Sequence, residues 1–64
     1  MFEPISKLRC VARELALRIR VYPKLVANGK MKQETADREI ELMQAIVKDY
    51  QQLVEQEKLC EQQE

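Results

Sequence analysis

The sequence predicts an all-α protein: a single domain, residues 1–64, folded as an antiparallel two-helix hairpin with heptad-like seams and paired with a second copy as a dimeric four-helix bundle. Three observations support this prediction. The composition is typical of helices, with one glycine, two prolines and 34% charged residues. Apolar residues recur at alternating spacings of three and four along both halves of the chain. The single glycine, Gly29, stands between the halves and indicates one turn.

The first helix is expected at about residues 4–28. Pro4 suits the first turn of a helix, where its missing amide costs no hydrogen bond. We call the line of residues that faces the other helix the seam, and the seam expected here follows a 3-4-3-4-3-4 spacing: Ile5, Leu8, Ala12, Leu15, Ile19, Tyr22 and Val26. Pro23 interrupts this seam and either ends the helix near Val21 or kinks it. Because the seam continues to Val26, the sequence favours the kink.

A turn and a second helix follow. Asn28 and Gly29 form a stop signal, because glycine readily adopts the left-handed conformation that caps a helix. The turn is expected at about residues 29–32 and the second helix at about 33–58. Its seam follows a 4-3-4-3-4 spacing: Ala36, Ile40, Met43, Val47, Tyr50 and Val54. This pattern fails toward the end, so residues 59–64 are expected to fray. A turn this short makes the helices antiparallel neighbours.

The net charge of zero hides a basic half and an acidic half. Residues 1–32 carry eight Lys or Arg against two Glu, whereas residues 33–64 carry three against nine Asp or Glu. Antiparallel packing would lay the basic helix along the acidic one, which explains the asymmetry without any other partner. Exposed ion pairs contribute only about 0–1 kcal/mol each. Their expected role is therefore to select this pairing over like-with-like association.

The chain has more apolar surface than one seam can bury. Leu17 and Val21 lie four residues apart on the far side of the first helix, close to Cys10. Further apolar residues flank the two seams: Val11, Leu25, Ile46, Leu53 and Cys60. An open patch of this size is unusual on a monomer. It predicts a homodimer in the form of a four-helix bundle, or a docking face for a target protein, and the two are compatible.

The residue types that catalysis and metal binding would need are missing. The sequence has no histidine, no glycine-rich phosphate loop and no Glu-x-x-His motif, so we expect no enzyme, no metal site and no cofactor. Cys10 and Cys60 would stand about 13 Å apart along the hairpin, which is too far for a disulfide. Cys10 is interpreted as a small apolar residue and Cys60 as a thiol on the tail.

Nothing in the sequence indicates a membrane or a secretory destination. No apolar run approaches the roughly 20 residues that span a bilayer, and no signal-peptide core is present. We therefore expect a cytoplasmic protein with reduced thiols and no membrane partner.

The residues expected to contact a partner combine a basic row with two apolar side chains. Arginine is enriched among the residues that dominate binding energy at interfaces. The set is Arg9, Arg13, Leu17, Arg20, Val21 and Lys24. The same row suggests an alternative, nucleic-acid binding through phosphate contacts. The acidic second half and the lack of exposed aromatic residues for base stacking argue against it.

Residues 13–50 carry a further pattern. It consists of an arginine-rich helix, V-Y-P at 21–23, G-K-M at 29–31, A-D-R-E-I at 36–40, and then Met43, Ile46, Asp49 and Tyr50. With these motifs the chain resembles a family of small uncharacterised helical-hairpin proteins of phages and prophages. The resemblance implies an accessory protein that binds and modulates a protein of the bacterial host cell; a self-assembling structural protein is the other alternative. Lys32 departs from the pattern, where Ser or Thr is expected as the N-cap.

Overall fold

The computed structural model, which describes residues 2–62 and the side chains of residues 2–57, shows two helices packed against each other. Helix α1 spans Pro4–Ala27 and helix α2 spans Gln33–Gln62. The two form an antiparallel hairpin with extents of 54 × 17 × 17 Å. The all-helical hairpin is thus confirmed for the single chain. α2 continues through residues 59–62, where the sequence predicted fraying.

The beginning of α1 is defined by backbone hydrogen bonds. Glu3 has an extended conformation and caps no amide with its side chain. Its carbonyl accepts hydrogen bonds from the amides of Ser6 and Lys7, at 3.1 and 3.2 Å. Pro4 occupies the first position, where its fixed φ favours the helix and its missing amide would have had no partner.

α1 continues through Pro23 and ends at Ala27. Proline has no amide hydrogen, so the carbonyl of Ile19 lacks the helical hydrogen bond that residue 23 would otherwise donate. Pro23 is exposed and Ile19 is 49% exposed, so water has access to this turn. An exposed proline is therefore tolerated within the helix. The alternative in which α1 ends near Val21 is wrong, and the kink stays a prediction.

A Schellman motif closes α1. The amide of Gly29 donates to the carbonyl of Val26 at 3.0 Å, and the amide of Lys30 donates to the carbonyl of Leu25 at 2.9 Å. This arrangement needs a left-handed residue after the helix, and Gly29 has a φ of 73°. The glycine stop signal thus marks the end of α1, as the sequence predicted.

The first turn of α2 lacks the usual Ser or Thr cap. Lys32 precedes it and has no side-chain acceptor to offer. Its backbone carbonyl accepts the amide of Ala36 at 3.0 Å, and Nε2 of Gln33 donates to Oδ1 of Asp37 at 2.8 Å. Glu34 adds negative charge at the positive end of the helix dipole. These interactions offset part of what the absent cap would supply.

The seam of α2 is the one that the sequence predicts. All six of its residues are buried or half-buried: Ala36, Ile40, Met43, Val47, Tyr50 and Val54. Among the described residues only Ala36 and Met43 are fully buried, at 2% and 8% exposure. No residue of α1 is buried. The hairpin therefore has very little core, and so small a core supplies little stability by itself.

The seam of α1 is displaced from the prediction. Ala12 and Ile19, both expected on the seam, are exposed. Val11 and Arg18, each one position earlier, are half-buried in their place, and Leu25 is half-buried next to Val26. The remaining predicted residues keep their half-buried positions: Ile5, Leu8, Leu15, Tyr22 and Val26. The physical reason is that the aliphatic stem of Arg18 lines the seam while its guanidinium reaches polar partners.

Candidate interaction surface

Arg18 joins the two helices in the part of the hairpin next to the turn, nine residues before the end of α1 and opposite the second turn of α2. Its Nε donates to Oε1 of Glu14 within α1 at 3.1 Å. Its Nη1 donates to the backbone carbonyl of Glu39 in α2 at 3.3 Å, and lies 4.0 Å from Oε2 of the same residue. The guanidinium carbon lies 5.9 Å from the ring centroid of Tyr22, within cation–π range. We call these four residues the Arg18 cluster.

Sequence reasoning missed the Arg18 cluster because it counted only apolar residues toward the seam. Two signals were available. Glu14 and Arg18 stand four residues apart, the spacing of a helical ion pair. Arg18 also lies seven residues from both Val11 and Leu25, so the three residues share one heptad position. The carbonyl of Glu39, by contrast, becomes a partner only when the chain folds back.

The Arg18 cluster shows which sides of the two helices lie together. One guanidinium contacts both Glu14 and Glu39, so these residues lie on the same side of the hairpin. Residues at i−4, i+3 and i+7 share a side of a helix with residue i, and heptad repetition extends that side to i+14. Six apolar residues lie on that side and form what we call the apolar face: Cys10, Leu17 and Val21 of α1, with Leu42, Ile46 and Leu53 of α2.

Most of the apolar face is open to solvent. Leu17, Leu42, Ile46 and Leu53 are 42%, 48%, 39% and 44% exposed. Cys10 is exposed as well, and Val21 is half-buried. A groove of about 420 Å³ opens on this face, and its lining comes from both helices: Cys10, Val11, Arg13, Glu14 and Leu17 with Met43. The groove therefore joins the α1 half of the apolar face to the seam of α2 at Met43.

The opposite side of the hairpin differs in character. Ile19 follows Leu17 by two residues and so points about 160° away from it around the helix. Ile19 is exposed to a similar degree, at 49%. The exposed α2 residues on that side are polar: Gln33, Asp37, Gln44 and Lys48. Apolar surface contributed by both helices is thus confined to one side.

Four basic side chains form a row along the outer side of α1, which we call the basic row. Its members, all exposed, are Arg9, Arg13, Arg20 and Lys24. Over the part of the chain whose side chains the structure describes, none of the four forms an ion pair. Arg13 and Leu17 line the same groove, so the basic row adjoins the apolar face. An incoming ligand that covers the face therefore meets positive charge along one edge.

The six residues predicted to contact a partner lie on two adjoining surfaces. Leu17 and Val21 belong to the apolar face, and the other four are the basic row. The prediction did not include the α2 half of the apolar face. The sequence predicts Ile46 and Leu53 as open apolar surface that flanks the seam, and Leu42 stands four positions before Ile46. Val11 and Leu25, predicted as flanking surface, instead contribute to the seam of α1.

The helices differ in charge as strongly as the halves of the sequence do. α1 carries six Lys or Arg against one Glu, a net charge of +5, and α2 carries three against eight Asp or Glu, a net charge of −5. Among the described side chains, one ion pair crosses between the helices, from Arg18 to Glu39, and it is long at 4.0 Å. Most of the electrostatic attraction between the helices therefore acts over distances longer than an ion pair, and salt screens it.

The Cys, Asp and Glu side chains of the described residues are spread along the hairpin. Within this region, no three His, Cys, Asp or Glu side chains are clustered as metal binding requires. Cys10 is a free, exposed thiol, while the side chain of Cys60 lies outside the described residues. Neither helix, over its described length, combines the length and the hydropathy needed to cross a bilayer.

Comparisons with known proteins give no further assignment. No protein-family model, no curated protein and no solved structure matches the chain. The resemblance of residues 13–50 to phage-type hairpin proteins stays a prediction.

Proposed function

We propose that the protein is a small non-enzymatic protein-binding module that docks through the apolar face of its hairpin. One observation carries the proposal: four large aliphatic side chains, each 39–48% exposed, lie together on the side that both helices share. Only two residues of the described chain are buried. A ligand that covers the apolar face would stabilise the fold, because binding to the folded state alone shifts the unfolding equilibrium.

The charge beside the apolar face indicates what kind of partner fits. The basic row adjoins the face at Arg13 and has no ion-pair partner among the described side chains. A protein surface with an apolar centre and an acidic rim would satisfy both parts. Arginine at such a rim would raise the rate of association more than the affinity.

The biological setting is also part of the proposal. The resemblance of residues 13–50 supports a phage- or prophage-type accessory protein in the bacterial cytoplasm. Its mechanism would be occlusion: the hairpin covers a surface of a host protein and so modulates it. No catalytic step, metal or cofactor is required.

We further propose that two hairpins pair as a four-helix bundle. The support is the small buried core together with the exposed apolar face, since bundles bury such faces between pairs of helices. A self-assembling structural protein would have this property alone, whereas a modulator would exchange the second copy for a host protein on the same face.

Matched variants test the proposed protein binding. The tagged chain, Leu17→Glu and Ile19→Glu serve as baits in nuclease-treated bacterial lysate. Both substitutions introduce one glutamate into α1 at sites of similar exposure, but on opposite sides. A host protein retained in stoichiometric amount by the wild type and by Ile19→Glu, and lost with Leu17→Glu, would support the proposal. Equal retention by the Leu17 variant would contradict it.

Nucleic-acid binding is the second candidate, because the basic row is exposed and forms no ion pair with any side chain that the structure describes. If phosphates bind there, affinity for a DNA or RNA oligonucleotide should fall steeply with salt. Arg20→Glu should weaken that binding, whereas Arg38→Glu on α2 makes the same change away from the row. Affinity that is insensitive to salt, or equally reduced by both variants, would exclude the basic row as a phosphate-binding surface.

A further inference from the structure

We infer that the apolar face is covered by a second copy of this chain, with α1 of each copy packed against α2 of the other. This inference deepens the proposed self-association and rests on it. It names the occupant of the face and the arrangement of the helices, and both follow from the position of the apolar residues, the charges of the helices and the Arg18 cluster.

The composition of the apolar face fits a second hairpin. The face runs along both helices, from Cys10 to Val21 on α1 and from Leu42 to Leu53 on α2. A single added helix would contact one groove, whereas a second hairpin presents a matching surface along the whole length. The contact is self-complementary, as a two-fold interface requires. The exposed aliphatic residues of both copies would then be buried in the same interface.

Charge decides how the two hairpins are arranged. A two-fold axis perpendicular to the helices would stack α1 on α1 and α2 on α2, bringing net charges of +5 together and net charges of −5 together. An axis parallel to the helices instead stacks α1 on the partner's α2. Every basic helix then lies between two acidic ones, and all neighbouring helices are antiparallel. Opposite charges favour this second arrangement, since like charges in contact are destabilising.

The Arg18 cluster fixes the register of the dimer. It lies toward the turn end of the hairpin, on the same side as the apolar face. A shift of one heptad would place its charged groups against the apolar side chains of the second copy. Polar groups at one level of an apolar interface specify register in this way, at some cost in stability. The two clusters are therefore expected at the same level.

Oligomeric state is the first test. Sedimentation equilibrium should give twice the chain mass of 7.6 kDa for the wild type. Ile46→Glu should raise the dimer dissociation constant by about 100-fold, because each dimer loses two buried aliphatic contacts. Ile19→Glu, on the opposite side, should leave it nearly unchanged. A monomeric wild type that keeps its helicity at high micromolar concentration would overturn the inference, and so would a dimer disrupted by Ile19→Glu alone.

Cross-linking tests the arrangement without relying on variants that destabilise the fold. Both native cysteines are first replaced by serine. Leu17→Cys is then mixed with a size-tagged Leu42→Cys chain and oxidised. The proposed arrangement places these two positions at the same level on adjacent helices of different copies, so disulfide-linked mixed dimers should form. Ile19→Cys with Leu42→Cys is the matched control and should give few.

The outcomes separate the two levels of the proposal. Self-linked Leu17→Cys dimers in place of mixed ones would mean that α1 packs on α1, which overturns the arrangement while self-association stands. A chain that stays monomeric but captures a host protein through Leu17 overturns this inference and leaves the proposed protein-binding function intact.

Discussion

Replacing Arg18 by alanine tests whether one side chain holds the two helices in register. The partly exposed pair with Glu14 contributes roughly 0.5 kcal/mol. The charge-assisted hydrogen bond to the carbonyl of Glu39, long at 3.3 Å, contributes about 1 kcal/mol. The contact with the Tyr22 ring adds about 0.5 kcal/mol. These sum to about 2 kcal/mol, and ordering the long side chain offsets part of that.

We therefore expect Arg18→Ala to lower the free energy of unfolding by about 1–2 kcal/mol. Arg18→Lys is the matched control, because lysine keeps the charge and most of the stem but lacks the planar fork. It should recover less than half of the loss, since one ammonium group cannot reach both Glu14 and the Glu39 carbonyl. The assay is urea unfolding followed by circular dichroism, at one fixed protein concentration because self-association would shift the midpoint.

Two results would refute this reasoning. If Arg18→Ala changes the unfolding free energy by less than about 0.3 kcal/mol, the contacts of Arg18 contribute no net stability to the hairpin. If Arg18→Lys matches the wild type, positive charge alone matters and the fork between the helices does not. A Glu14→Ala, Arg18→Ala double-mutant cycle would then measure how much coupling remains within α1.

Three further predictions concern stability and use the same assay. Met43→Ala should lower the free energy of unfolding by about 2–4 kcal/mol, because Met43 is one of the two buried residues described and its loss leaves a cavity at the seam. A loss below about 1 kcal/mol would mean that the neighbouring side chains fill the cavity. Gly29→Ala should lower the free energy of unfolding by about 1–2 kcal/mol. The added carbon meets no atom within 4 Å, so the whole loss comes from the φ of 73°, which alanine adopts unfavourably. An unchanged unfolding midpoint would mean that the turn has another conformation. Pro23→Ala should stabilise the hairpin by about 1–3 kcal/mol by restoring an amide at an exposed helical site, and a loss of stability would show that the proline is needed.

The seam of α2 could be predicted because its sequence is unambiguous. Each predicted seam position is apolar or tyrosine, and most residues on the opposite side of α2 are charged or amide side chains. Ala36 and Met43, predicted on that basis, are the two fully buried residues. Where periodicity and polarity agree in this way, a single sequence suffices to place the buried side of a helix.

The seam of α1 could not be predicted in full, because α1 is apolar on several sides. Ile19 and Arg18 compete for one position, and hydropathy alone favours Ile19. Arg18 occupies the position because its guanidinium donates hydrogen bonds to Glu14 and to the carbonyl of Glu39. The carbonyl of Glu39 comes within reach only when the hairpin folds. The same reason explains why Ile46 and Leu53, predicted as open apolar surface, were not assigned to one contact surface with Leu17: which sides of two helices coincide depends on their packing.

The absence of any buried residue in α1 has a consequence for the order of synthesis. α1 leaves the ribosome before α2, and at about 5–20 residues per second it would wait seconds for the helix that it packs against. Until α2 is available, α1 is a segment of net charge +5 with no second helix to pack against. The acidic α2, with a net charge of −5, would then compete with any polyanion for α1, because closing the hairpin lays opposite charges side by side.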